Sequence, residues 1–147
     1  MESILGGIPK IYFDSAPIIY YTEDRIPFAD IIEKVMQYII QNNIQIVTSV
    51  ISVSECLTKP IRENDTKLIT IYERFFEQTQ NMNVIDISFP IARKSADLRA
   101  QYGLRTPDAL HIATAIIAGC QAFLTNDIAL KRINELKVWV LDDISNT

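Results

Sequence analysis

The sequence predicts an α/β domain: an open, mostly parallel five-stranded sheet with helices on both faces. Two observations carry this. Short runs rich in β-branched and aromatic residues alternate with segments of helical period along the whole chain, which is the pattern of βαβ units. Runs such as AFLT and VWVL are also too short and too strand-like for the helices of a bundle. The chain has 147 residues, 48% hydrophobic and 22% charged, the size of one domain (1–147) with enough apolar material for a core. That balance excludes a disordered chain, a collagen repeat and a disulfide scaffold.

IPKIYF is the first strand, ending at Asp14. Phe28, Ile31, Ile32, Val35, Met36, Ile39 and Ile40 recur at three and four residues, the stripe of an amphipathic helix that Asn42 and Asn43 stop. IQIVTS reads as the second strand and VISVSECL as a helix that Pro60 ends or interrupts, with KPIREND opening a long connection. Leu68, Tyr72, Phe75, Phe76 and Thr79 mark the next helix, and NVIDIS the third strand. FPIARKSADLRAQYG is a helix closed by Gly103 in a left-handed C-cap. Thr106-Pro107-Asp108 starts another helix, with Thr106 expected as N-cap, Pro107 at the first helical position and an acid in the first turn. It runs to about Gly119; CQAFLT, NDIALKRI and KVWVLD follow as strand, short helix and strand.

Eighteen acids against fourteen basic residues give a net charge of −4 and a pI near 4.9. This argues against a module that grips nucleic acid by bulk charge and makes the placement of the carboxylates the question. Cys56 and Cys120 form no Cys-x-x-Cys pair. The opening MESILGGIPK lacks the basic start and apolar run of a secretory signal. No stretch reaches the roughly 18 apolar residues of a membrane span, so a soluble, cytoplasmic protein is expected.

Ligands of open α/β sheets bind beyond the carboxyl ends of the strands. Asp14 follows the first strand, Asp127 follows the fourth, and Asp108 lies in a first helical turn, where the helix dipole favours negative charge. Glu55 lies in the helix after the second strand, and helical side chains tilt back toward the N-terminus. Four acids from distant segments are thereby aimed at one sheet edge. Crowded carboxylates repel and raise one another's pKa, and a hard divalent cation relieves this. Oxygen ligands suit Mg²⁺ or Mn²⁺ rather than zinc, for which there are one His and two scattered Cys. The matching chemistry is metal-assisted phosphodiester hydrolysis. Removing these four from the eighteen acids leaves fourteen, the number of basic residues, so an acidic pI is compatible with a nucleic-acid substrate.

The run YGLRTPDALHIATA at 102–115, followed by FLTND at 123–127, resembles the PIN-domain family, most closely VapC-like ribonuclease toxins of toxin–antitoxin modules. Asp14-Ser15 and Ser54-Glu55 match the family's first two acids, and the likeness spans essentially the whole chain. It implies a Mg²⁺- or Mn²⁺-dependent endoribonuclease, with one or two ions, acting on single-stranded or structured RNA. It also implies a homodimer and a small antitoxin. Carried over by position, Asp14, Glu55, Asp108 and Asp127 form the catalytic, metal-binding quartet. Asp14 and Asp108 are the primary ligands, with Thr125 and Ser15 supporting them.

Arg105, beside the Thr-Pro-Asp start, is the basic residue best placed to meet RNA phosphate. Tyr20 and Tyr21 are candidates for base stacking, a dimer contact or the core. His111 is expected to pack or hydrogen-bond rather than act as a base, and Asp142 and Asp143 to be solvated. The rival readings are an inactive interaction module on the same fold and a non-toxin nuclease of RNA processing. A haloacid-dehalogenase-type phosphatase would need an acid where Ala16 stands, and a receiver domain an acid where Ser15 stands. With four glycines and none suitably placed, a dinucleotide enzyme is excluded.

Overall fold

The computed structural model describes residues 2–145; Met1 of the opening segment, and residues 146–147 of the expected domain, lie outside the described residues. Five parallel strands form one sheet in the order β3-β2-β1-β4-β5: β1 (Lys10–Phe13), β2 (Gln45–Ser49), β3 (Met82–Ile85), β4 (Ala122–Thr125) and β5 (Lys137–Val140). The predicted class is therefore the observed one. Strand β1 is central, with Tyr12 opposite Val47 of β2 and Phe123 of β4. The winding reverses between β1 and β4, which makes their carboxyl ends the topological switch point.

The helices are α1 (Glu2–Leu5), α2 (Ser15–Thr22), α3 (Phe28–Gln41), α4 (Val50–Arg62), α5 (Thr66–Gln78), α6 (Phe89–Tyr102), α7 (Thr106–Ile117) and α8 (Leu141–Ser145). Alternation along β1 divides the core in two. Ile11 and Phe13 pack with Ile32, Val35 and Ile39 of α3 and Tyr72 of α5 on one face. Tyr12 faces the other way, against Phe123, Leu98 of α6 and Ile112 of α7.

Several local expectations are corrected. Pro60 does not end α4, which runs on to Arg62; the proline is buried and lies in the last turn, where only one backbone bond is forfeited. The long connection expected from KPIREND shrinks to Glu63–Asp65, turned by Asn64 at φ 55°. Thr106 is not the N-cap of α7. The Ala109 N–H donates to the Arg105 carbonyl at 3.0 Å, so the helix begins one residue earlier than expected. Arg105 is the cap, without a side-chain bond, and Pro107 takes the second helical position. NDIALKRI folds as a 3₁₀ turn, Ile128–Arg132, with the Leu130 N–H donating to the Asp127 carbonyl. Helix α2 was not foreseen; its Pro17 sits in the first turn, where the missing N–H has no helical partner to lose.

Among the described residues, no helix is long and apolar enough to cross a membrane.

Candidate active site

Strand β1 delivers Asp14 as the N-cap of α2, with its own Oδ1 accepting the Ser15 N–H at 2.8 Å. Its other oxygen, Oδ2, accepts the Thr125 hydroxyl at 2.8 Å. Thr125 ends β4, and its Oγ1 also accepts the Asp127 N–H at 3.1 Å. One hydroxyl thus ties the first acid to the last across the switch point. Asp127 caps the 3₁₀ turn by accepting the Ala129 N–H at 3.0 Å. Asp108 occupies the first turn of α7, with Arg105 Nε 3.2 Å from its Oδ2.

All four predicted acids line one cavity of about 310 Å³, together with Ser15, Thr125 and Arg105. Ala16, Tyr20 and Asn126 complete its wall, the last two joined by a bond of 3.3 Å from Asn126 Nδ2 to Tyr20 Oη. The Asn126 Oδ1 carbonyl is buried without a partner. Tyr20 stacks on Phe28, whereas Tyr21 turns away to pack against Phe75. Asp142 and Asp143 are exposed and outside the cavity; Asp143 pairs with Lys131. Cys56, next to Glu55, is core.

His111 enters the cluster more closely than its spacing from Asp108 suggests. It is 1% exposed, with Nε2 2.5 Å from Glu55 Oε1 and 3.4 Å from Asp14 Oδ1. Ligand-type atoms of Asp14, Glu55 and His111 all lie within 4.8 Å of one another. Burial pushes the Asp14 carboxyl above the ordinary aspartate range, opposed by His111 and by the Thr125 bond. Burial acts the same way on Glu55, yet the His111 bond and charge outweigh it and hold that carboxyl below its usual value. For His111, burial favours the neutral ring but the Glu55 bond and the nearby carboxylates win, raising its pKa.

The donors facing the cavity are carboxylate oxygens, with the orphaned Asn126 carbonyl at its wall. Such a set fits a hard divalent cation. The unfavourable burial of the Asp14 charge is the kind of debt that a cation relieves.

A PIN domain family model matches residues 11–136, from the first strand to the loop before the last. The chain belongs to the PIN domain family. PIN domains are generally nucleases that use divalent metal. Comparison with curated proteins finds no match. Among solved structures, this PIN domain is similar to VapBC2 from Rickettsia felis bound to a DNA fragment from their promoter. The TM-score is 0.73 at 20% identity, covering 89% of this chain and 98% of that one. A toxin–antitoxin complex from Klebsiella pneumoniae gives 0.66 at 22% identity, covering 89% and 97%. DNA-bound VapBC from Salmonella typhimurium gives 0.72 at 15% identity, covering 90% and 98%. At these identities the likeness speaks for the fold. The matching region contains all four acids of the PIN domain's cavity.

Tyr12, His111 and Asn126 are the residues that sequence reasoning left out of the site. The strand alternation that turns Tyr12 toward α7 was the available signal for one of them.

Proposed function

We propose that this PIN domain is a Mg²⁺- or Mn²⁺-dependent endoribonuclease that hydrolyses phosphodiester bonds of single-stranded RNA, as the toxin of a toxin–antitoxin pair. The observation that carries the reading is the convergence of Asp14, Glu55, Asp108 and Asp127 in one cavity at the carboxyl ends of the strands. In this reading Asp14 and Asp108 are the primary holders of one or two cations, with Glu55 and Asp127 completing the set. When bound, the cation lowers the pKa of water and polarises the phosphate.

The chain's own residues do the positioning. The Ser15 N–H and the Thr125 hydroxyl each hold one oxygen of Asp14, leaving its carboxylate a single orientation. Asp127 is held through its cap bond to Ala129. Arg105, whose side chain is 80% exposed, pairs with Asp108. It can exchange that partner for an incoming RNA phosphate, since an exposed pair is worth no more than about 1 kcal/mol. Hydrolysis in line at phosphorus leaves a 5′-phosphate and a 3′-hydroxyl.

The relatives named as toxin–antitoxin complexes support a small antitoxin as partner; the working form in this reading is a homodimer in the cytoplasm. The test is RNA cleavage with Mg²⁺ or Mn²⁺, with EDTA, and in the Asp14→Asn and Asp108→Asn variants. Chelation and either substitution should abolish cleavage; undiminished activity in either variant overturns the assignment. Growth arrest on expression, relieved by the protein encoded next to it, distinguishes a toxin from a nuclease of RNA processing. Absence of Mn²⁺ binding at millimolar concentration would favour an inactive interaction module.

A further inference from the structure

Beneath the acids runs a line of buried polar side chains that the proposed reaction does not use. Ser49 and Tyr12 are fully buried and His111 nearly so. Tyr12 Oη lies 3.0 Å from Ser49 Oγ and 2.6 Å from His111 Nδ1. On the other side of the ring, Nε2 meets Glu55 Oε1 at 2.5 Å. Ser49 is itself anchored, as N-cap of α4 accepting the Ile51 N–H at 3.2 Å. The line therefore starts at the cap of the helix that carries Glu55, crosses β1 and α7, and returns to Glu55.

Counting protons fixes the role of the ring. A carboxylate offers only lone pairs, so a contact of 2.5 Å requires the proton to sit on Nε2. Nδ1 then accepts from Tyr12 in the neutral ring or donates to it in the charged one. In both states Nε2 presents an N–H to Glu55 and has no lone pair for a cation. The 3.4 Å approach to Asp14 is too long to rival the Glu55 bond.

Glu55 needs such a hold. Its side chain is 37% exposed and reaches the cavity from α4. A glutamate fixed in one rotamer gives up side-chain entropy that a bonding partner has to offset.

We propose that His111, set by Tyr12, is a positioning residue that fixes the Glu55 carboxylate for the cation and is not itself a ligand. This rests on the cation-binding reading given above. The line joins α7, which carries Asp108, to α4, which carries Glu55, so two acids are placed relative to each other by one imidazole. Outer hydrogen-bond partners of ligating groups typically change metal affinity by about 10–100-fold.

The experiment is Mn²⁺ titration of the full chain by calorimetry and pulsed EPR, with thermal melts to check folding. The His111→Leu variant should bind Mn²⁺ at least about tenfold more weakly. His111→Gln, whose amide nitrogen reaches the place of Nε2, should recover most of that affinity. Tyr12→Phe should lose part of it, and wild-type Mn²⁺ should show no directly coordinated nitrogen. The Tyr12→Phe/His111→Leu double variant leaves no Tyr12 hydroxyl facing an apolar side chain, with Ser49 keeping its bond from the Ile51 N–H, and serves if His111→Leu alone fails to fold. Folded variants that bind Mn²⁺ like wild type would reduce His111 to packing. Nitrogen coupling to Mn²⁺, or a His111→Gln as weak as His111→Leu, would also overturn the proposal. A wild-type chain that binds no Mn²⁺ instead removes the cation-binding reading beneath it.

Discussion

Thr125 at the end of β4 donates its hydroxyl proton to Asp14 Oδ2 at the end of β1, across 111 residues of sequence and a distance of 2.8 Å. Both residues are buried, and the same hydroxyl oxygen accepts the Asp127 N–H. The switch point of the sheet is closed by this bond, and the first and last acids of the cavity take their relative position from it. Thr125→Val keeps the shape but leaves an Asp14 oxygen and the Asp127 N–H without a partner. A loss of about 1–3 kcal/mol is expected by urea denaturation, with weaker Mn²⁺ binding by calorimetry. Thr125→Ser should retain most of both.

Without a cation, the Asp14 charge is a burden on the fold. Its carboxyl titrates above the ordinary 3.8 because it is buried, so the folded chain holds its proton more tightly than the unfolded chain does. Stability from this group is greatest below 3.8 and is lost as pH rises through the folded value. Asp14→Asn removes that loss. In EDTA at pH 7 the variant should melt above wild type, with the gap closing as pH falls below 3.8. Mn²⁺ should raise the wild-type melting temperature and not that of the variant, since a ligand present at 100 times its Kd adds about 2.7 kcal/mol. A wild type more stable than Asp14→Asn in EDTA would contradict the electrostatic account.

Gly103 ends α6 in the left-handed region, at φ 67°, its N–H donating to the Arg99 carbonyl. No atom lies near the position of an added Cβ, so the cost of Gly103→Ala is conformational alone. About 1 kcal/mol is expected, with a smaller loss for Gly103→Asn, which tolerates this region better. The turn leads directly into Arg105 and Asp108, so the alanine variant should also weaken Mn²⁺ binding more than its stability loss explains.

Both thiols should be inert in the folded chain. Burial pushes Cys120 up to about 12 and raises Cys56 as well, so the reactive thiolate is nearly absent at pH 8. A thiol reagent should label neither residue until denaturant is added. Rapid labelling of Cys56 under native conditions would show that α4, and Glu55 with it, opens locally.

The sequence by itself determined the alternation of strands and helices and the placing of one acid after each key strand. Those signals are local: side-chain period distinguishes strand from helix, and a parallel sheet puts the ends of its strands on one edge. Asp14 and Asp127 were legible for that reason, and Asp108 from the helix start that Pro107 marks beside it. Local rules also misplaced what packing decides, as at Pro60, whose burial in the last turn of α4 lets the helix continue. The sharper features belong to the tertiary structure alone. His111 finds Glu55 across 56 residues and Tyr12 across 99, and no periodicity encodes such meetings. They arise because α7 and α4 pack where β1 sends Tyr12 toward one face and Asp14 to the edge. The sequence listed the acids; the packing of α4 against α7 set Glu55 beside His111.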